Sequence, residues 1–391
     1  MKIYQVCPFF FPVKGGMEEH VRQISLLLKK KGYNVTVLTS DSSRDGYIKK
    51  RVETIDDISV FRFKTLISLG DFGKFWPGFI LKLIKDDYDI VHVHNYRHIH
   101  TILAAIICFL RRKPCILTTH SPFHPLYLRR FLSKMLVFVY DRFLKFFIDP
   151  LFSKIILITS SEKKYFKHVS PRKLVSIPNG VENEMFKKVS SRLKKKIKRK
   201  YGLKDSEKKI LYVGRIHPTK GIDFLLKVLK ELIKKDKKYK LVIAGPLAKT
   251  RYFSSLLNFI KKNGLEKHIV FTGFVSGEGK IGLYDVCDLF FLPTKYESFG
   301  IVMLESFARG KPVVSVDSDG PRYLVKEGVN GFLVRYGDVD SAVNYIETLV
   351  QNKGLYKKIS SNNREKAREF VWDKIVDKLI KVYEEVLSKN R

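Results

Sequence analysis

Cysteine is scarce. Cys7, Cys108, Cys115 and Cys287 are the four in 391 residues, and none forms a Cys-x-x-Cys pair. That spacing shows no zinc framework, and scattered single cysteines suit a reducing cytosol. Long apolar runs are missing as well: none approaches the ~20 residues that span a bilayer. The longest candidate, Ile99 to Leu110, contains His100 and Thr101, is followed by Arg-Arg-Lys, and reads as a buried helix. The opening MKIYQVCPFFFPVKGG is broken by Pro8 and Pro12 and is followed by no small-residue cleavage site, so no secretory leader is expected. Acid is in short supply, with Asp+Glu at 39 against Lys+Arg at 74, a formal net charge of +35. Such a surplus implies an anionic partner: nucleotide, phosphate, acidic headgroups or nucleic acid.

What is present is enough apolar residue, 45%, for a globular protein, and a length that suits two domains. Strand-like runs alternate with helical ones. Lys2–Val6, Asn34–Ser40, Asp89–His94, Cys115–His120, Lys154–Ser160 and Lys173–Pro178 read as strands, and Glu18–Lys31 reads as a helix stopped at Gly32. This is the pattern of a parallel sheet with helices on both faces. The pattern is interrupted by a basic run, Lys187–Lys200, which reads as a solvated helix face, a linker or a nucleic-acid arm. It then restarts with KILYVG, KLVIAG, HIVFTG, LFFLPT and KPVVSV, a second doubly wound unit, with the boundary just after the turn Pro178-Asn179-Gly180. Phe370–Leu387 forms one amphipathic helix that needs a surface to bury its apolar face.

Ligands of doubly wound sheets bind beyond the carboxyl ends of the strands, so residues just past each strand are the first site candidates. Gly15-Gly16 opens a helix after the first strand and allows close backbone approach to an anion, or forms a loop that merely needs glycine. This pair is not the Gly-x-Gly-x-x-Gly dinucleotide fingerprint. Arg215 and Lys220 flank a strand-to-helix loop and can converge on one phosphate, or decorate the surface of a basic chain. His120 projects at the carboxyl edge of its strand, as a site residue or a satisfied structural histidine. His92, His94, His98 and His100 resemble a metal cluster in composition only: the first two share a strand face, the others follow it, and no metal is expected. In KYESFGIVMLESFARG, Glu297 sits in a loop before a helix running from about Gly300 to Arg309, and Glu305 lies inside that helix. Glu297 can simply favour the helix dipole, but a carboxylate between Ile301–Leu304 and Phe307-Ala308 needs a partner. Sugar hydroxyls suit both carboxylates, and the helix start between them suits a phosphate.

Glu297-x7-Glu305, with Ser298-Phe299-Gly300 after the first glutamate, resembles the E-x7-E motif of the retaining glycosyltransferases of family 4. GGMEEH (Gly15–His20), PNGVE (Pro178–Glu182), GRIHPTKG (Gly214–Gly221), KLVIAG (Lys240–Gly245), VFTGFV (Val270–Val275), GPRYLVKEGVNGFLV (Gly320–Val334) and a closing helix with Trp372 follow in the family's order. The resemblance spans nearly the whole chain. It implies an α/β GT-B architecture of two facing Rossmann-like, doubly wound domains with a central cleft. Residues 1–182 would bind the acceptor, 183–366 the nucleotide-sugar, and the helix within 367–391 would pack back on the first domain.

By that resemblance Arg215 and Lys220 hold the donor diphosphate, assisted by Gly16 and the helix start at Gly300, and Glu305 binds the ribose. Glu297 binds the donor sugar beside the backbone N–H groups of Phe299 and Gly300, Val275 meets the base, and His120 lies near the sugar. Asn179, Gly245 and Ile301 complete the implied donor site. Where the family often has His-Asp, this chain has His120-Ser121. The implied reaction is retaining, metal-independent hexosyl transfer from a UDP- or GDP-sugar by front-face attack, through an oxocarbenium-like transition state and without a cofactor. The basic-aromatic stretch Ser121–Phe152 is either a core helix pair or a surface for an anionic bilayer. A cytoplasmic enzyme, peripheral on the membrane's cytoplasmic face, is therefore expected, acting on a lipid-linked or cell-surface glycan acceptor. Two alternatives stand beside it: a GT-B sugar-nucleotide epimerase or phosphorylase, and a non-enzymatic polyanion binder. No nucleic-acid partner is expected.

Overall fold

A computed structural model describes residues 1–43, 46–69, 73–120, 131–247 and 250–389. The chain divides into two compact units, Met1–Gly180 with Trp372–Arg391, and Val181–Val371. The divisions fall at 180/181 and 371/372 rather than 182/183 and 366/367. The reason is local pairing: Val181 N–H donates to Phe370 O at 2.7 Å and Val181 bridges Val371 in parallel, which draws both residues into the second unit.

Among the described residues, ten strands build the first unit. These are β1 (Lys2–Cys7), β2 (Asn34–Ser40), β3 (Val52–Ile55), β4 (Ile58–Phe63), β5 (Ile67–Leu69), β6 (Gly73–Phe75), β7 (Ile90–His94), β8 (Cys115–Thr118), β9 (Lys154–Leu157) and β10 (Leu174–Ser176). Eight form one sheet in the order β10-β9-β8-β7-β1-β2-β4-β3, and β5 with β6 makes a separate antiparallel pair. The sheet is parallel except where β3 runs antiparallel along β4 at the edge. β7, β8 and β9 are buried throughout, as strands covered by helices on both faces must be. The order reverses at β1, which lies between β2 and β7, so the ends of β1, β7 and β8 sit side by side.

The helix Trp372–Ser388 buries Trp372, Ile375, Val376, Leu379, Val382, Tyr383 and Val386 in one stripe against Ile3, Ile24, Leu28, Ile90 and Ile116 of the same unit. Full burial of each such aliphatic side chain contributes roughly 1.5–3 kcal/mol, which makes this helix part of the first unit's core. A side chain at Gly180 would meet the Trp372 ring at 2.5 Å, so the Asn179-Gly180 turn needs glycine to let the tryptophan close over it.

The second unit holds β11 (Lys208–Val213), β12 (Tyr239–Ala244), β13 (Ile269–Gly273), β14 (Leu289–Leu292), β15 (Val313–Val316) and β16 (Gly331–Val334), all parallel, in the order β13-β12-β11-β14-β15-β16. The basic run forms an ordered helix, Ser191–Tyr201, capped by the Ser190 hydroxyl and ended by left-handed Gly202. Its buried residue, Ile197, seats on Gly282, where a Cβ would come within 2.1 Å. The remaining lysines and arginines face outward on a packed helix rather than a free arm.

Of the stretch 121–152, residues 121–130 lie outside the described residues. The remainder is a helix Phe131–Val139, a π-helical turn Tyr140–Leu144 and a short helix Lys145–Ile148. Val137, Tyr140 and Ile148 are buried on one side, whereas Phe138, Phe143, Phe146 and Phe147 are 64%, 54%, 51% and 74% exposed on the other, so only one side of these helices packs on the core. No helix among the described residues is long and apolar enough to cross a membrane.

Candidate active site

In the second unit, β11 and β14 are neighbours, and the loops at their carboxyl ends are knitted together. Lys295 N–H donates to Thr219 O at 3.1 Å. Gly221 adopts φ +67°, and a Cβ there would lie 2.1 Å from the Pro293 carbonyl oxygen. The outcome is an ion pair between Lys220 Nζ and Glu297 Oε2 at 2.9 Å, with both side chains partly shielded from water. Arg215 lies on the same loop with its side chain exposed, and its carbonyl accepts from the Tyr212 hydroxyl at 2.8 Å. Burial first, then the Glu297 charge, holds the Tyr212 phenol protonated well beyond its ordinary range.

The Glu297 backbone is fixed at both ends of the residue. Its N–H donates to Ser318 Oγ at 3.2 Å, and its carbonyl accepts from Gly320 N–H at 3.0 Å. Gly320 approaches so closely that a Cβ would meet the Phe299 nitrogen at 2.5 Å. Phe299 is buried, Gly300 takes φ +93°, and the helix Ile301–Ala308 then begins without a side-chain cap. A helix start with uncapped N–H groups favours an anion.

Glu305, 8% exposed, sits four residues into that helix. Lys280 Nζ donates to its Oε1 at 2.7 Å and the Tyr284 hydroxyl to its Oε2 at 2.9 Å. Lys280 and Tyr284 occupy one face of the helix Gly277–Val286, and burial, then the Glu305 charge, keeps the Tyr284 phenol protonated. An ionised carboxylate accepts about four hydrogen bonds, so two acceptor positions remain for a diol. Beside this group, a Cβ at Gly245 would come 1.8 Å from the Gly214 carbonyl, and Gly245 N–H donates to Gly273 O at 3.0 Å. Val275 follows half-buried after β13, and Ile301 is half-buried at the helix start. The structure thus gathers Arg215, Lys220, Gly245, Val275, Glu297, Phe299, Gly300, Ile301 and Glu305 at the carboxyl ends of β11–β14 in one unit.

Gly16, Asn179 and His120 belong to the first unit. Gly16 begins the helix Gly16–Lys30, whose cap residue Gly15 offers no side chain. His120 follows β8 with φ +51°, and its Nε2 lies 3.0 Å from His94 Nδ1. Just before it, Thr119 donates its hydroxyl to buried Glu162, which also accepts from the N–H groups of Ile158 and Thr159 at 3.1 Å each. Asn179 Oδ1 lies 2.6 Å from His20 Nδ1, and the His20 ring meets the Trp372 ring edge-on at 5.3 Å. His94 Nε2 is bonded to Gln5 Oε1 at 2.8 Å, while His92 bonds the Tyr383 hydroxyl and Thr118 Oγ1 at 2.7 Å each. Burial depresses all these rings: His20 to about 4, and His92, His94 and His120 well below the ordinary histidine range. They are therefore neutral at pH 7.

The four histidines that resemble a metal cluster in sequence do not converge. His92 is consumed by Tyr383 and Thr118, and His100 bonds the His94 carbonyl at 2.9 Å beside Trp76. The group that does converge is His20, His94 and His120. The sequence reading missed Lys280, Tyr284, Ser318 and His20 as site residues. His20 stands in the quoted GGMEEH, and Lys280 with Tyr284 shows the i,i+4 spacing of one helix face.

An uncapped helix start, a cationic loop and two carboxylates, each paired with a lysine, thus stand together in the second unit. Residues 14–184 match the Glycosyltransferase Family 4 model and residues 194–366 the Glycosyl transferases group 1 model. The chain belongs to the family 4 glycosyltransferases. It is 27% identical over 409 residues to an uncharacterized glycosyltransferase of Methanocaldococcus jannaschii, with 98% of each chain covered. It is 25% identical over 398 residues to the phosphatidyl-myo-inositol mannosyltransferase of Mycobacterium leprae, covering 100% of this chain and 98% of that one. The solved HepE of Anabaena, in complex with UDP and glucose, matches at TM-score 0.78 and 22% identity over 98% of this chain and 99% of that one, a likeness in the GT-B fold.

Proposed function

We propose that this chain is a retaining, metal-independent hexosyltransferase that moves a sugar from a UDP- or GDP-sugar to a hydroxyl of a lipid-linked or cell-surface glycan. The observation that carries this reading is the Lys220–Glu297 pair beside the uncapped helix start at Gly300, with Glu305 inside the same helix. Lys220, Arg215 and the first-turn N–H groups take the diphosphate. Glu305 takes the ribose diol, and Glu297 takes donor-sugar hydroxyls while its charge faces the developing oxocarbenium ion. The bond from the anomeric carbon to the diphosphate oxygen breaks. The acceptor oxygen bonds to the same face, and its proton passes to the departing phosphate oxygen. No cofactor is needed, because cationic side chains and the helix start balance the leaving charge. His120, hydrogen-bonded to His94 at 3.0 Å in the first unit, is by resemblance a candidate for the transfer step.

The acceptor side is supported by the exposed Phe138, Phe143, Phe146 and Phe147, set among Lys134, Arg142 and Lys145. Such a face suits the headgroup boundary of an anionic, cytoplasmic leaflet. A relative of similar length is named for mannosyl transfer to a phosphatidylinositol, in keeping with a lipid-linked acceptor. The test supplies labelled UDP- and GDP-sugars with phosphatidylglycerol vesicles carrying extracted membrane lipids, and follows vesicle co-sedimentation together with the anomeric configuration of the product. Most of the protein should sediment with these vesicles at low salt and stay in solution with neutral ones, and the product should keep the donor's configuration. Inverted product would overturn the mechanism, and absence of sedimentation at low salt would overturn the membrane surface.

A further inference from the structure

His20, His94 and His120 each present one ring nitrogen within 4.8 Å of the other two, although they come from three separate segments. Their outward nitrogens are already assigned. His94 Nε2 faces Gln5 Oε1, an acceptor, so it carries the proton and leaves Nδ1 as a lone pair. His20 Nδ1 faces Asn179 Oδ1, also an acceptor, which leaves Nε2 as a lone pair. His120 Nε2, 3.0 Å from His94 Nδ1, is the proton donor between the two rings. We propose that His20, His94 and His120 form a binding site for a divalent transition-metal ion of the zinc type within the first unit.

The chemistry favours such an ion. Three neutral imidazoles with a fourth position open is a donor set that zinc accepts, and ligating histidines characteristically donate their second N–H to a fixed acceptor. Gln5 and Asn179 supply those acceptors here. A tetrahedral ion with Zn–N near 2.0–2.1 Å separates its ligand nitrogens by about 3.4 Å, so a pair at the 4.8 Å limit would close by about 1.4 Å. Binding requires the His120 proton to leave Nε2 for Nδ1 through solvent, after which the Nε2 lone pair faces the ion. The metal then occupies the place of the His94–His120 hydrogen bond. Among the described residues no carboxylate joins this group, so the site binds hard cations such as magnesium poorly.

The test titrates metal-free full-length protein with Zn²⁺ and with Co²⁺, and records calorimetric stoichiometry and the Co²⁺ visible spectrum. One ion per chain is expected, with the intense visible bands of tetrahedral cobalt and a raised melting temperature of the first unit. Affinity should fall at least tenfold in His20→Gln and in His120→Gln, and about tenfold in Asn179→Ala, which orients His20 without touching the ion. His268→Gln, in the other unit, should bind as the wild type does. Circular dichroism of the metal-free variants separates misfolding from lost ligation. Unchanged affinity in both folded His20→Gln and His120→Gln, or an octahedral cobalt spectrum, would overturn the proposal.

Discussion

Glu297→Gln is expected to lower kcat about 10²- to 10³-fold while leaving the donor KM within a few-fold, the size of loss seen when one preorganised group facing transition-state charge is removed. Gln keeps the shape and the loop contacts, because Ser318 and Gly320 grip the Glu297 backbone and not its carboxylate. What it removes is the negative charge paired with Lys220 at 2.9 Å. In the transition state the anomeric carbon gains positive character and the diphosphate gains negative charge, so both members of the pair matter more than in the ground state. Glu305→Gln is expected to do the reverse. A ribose anchor contributes equally to bound substrate and transition state, so KM should rise roughly tenfold or more with kcat nearly kept. Its amide cannot satisfy both Lys280 and Tyr284 as acceptors, so a lower melting temperature should accompany it. Steady-state kinetics with the preferred donor read the split. Equal effects of both substitutions on KM alone would show that Glu297 binds without stabilising charge.

Acid is expected to unfold the first unit well before the second. In metal-free protein His20, His92, His94 and His100 are buried and neutral, with His20 and His100 depressed to about 4 and the other two well below their ordinary value. The unfolded chain takes up these protons near pH 6.5, so it binds more protons than the folded state below that pH, and stability falls as pH falls. The loss begins near 6.5 and continues until each ring ionises in place, at about 4 for His20 and His100. Each ring contributes up to about 1.4 kcal/mol per pH unit in that window, so the four together rival a typical stability of ~5–15 kcal/mol by about pH 5. Asp149, raised by burial, works in the opposite direction but is a single group. Both tryptophans, Trp76 and Trp372, are buried in the first unit, so their fluorescence reports that unit alone. A red shift with a midpoint between pH 6.5 and 4 is expected. Emission unchanged down to pH 4 would mean the histidine core tolerates protonation.

Most of the parallel strands were legible because each is a short apolar run bounded by turn residues, as in Ile90–His94 or Leu289–Leu292. β4 and β16 were not read as strands, nor were β3, β5 and β6, because VETI, ISL and GKF are short, partly polar pieces whose partners alone define them. Glu297 and Glu305 stood out as carboxylates flanking apolar sequence. Their partners did not, since Lys280 and Tyr284 come from another helix and only tertiary packing turns them toward Glu305. The histidine triad was hidden for a related reason. His94 and His120 meet because β7 and β8 are neighbours, and His20 joins them from the helix after β1, beside β7 in the sheet. A sequence spells out strands but not their lateral order. The aromatic stretch before Asp149 split between both readings: its buried side is Val137, Tyr140 and Ile148, and its other side is open.

The central claim is that the Glu297–Glu305 region of the second unit is a nucleotide-sugar site. Differential scanning calorimetry of the wild type with UDP-, GDP- and ADP-sugars tests it most directly. At a hundredfold excess over its dissociation constant a true donor stabilises the unit that binds it by about 2.7 kcal/mol. One nucleotide class should raise the melting temperature of the second unit, and Glu305→Gln should diminish that rise. No shift with any of the three at saturating concentration would contradict the account.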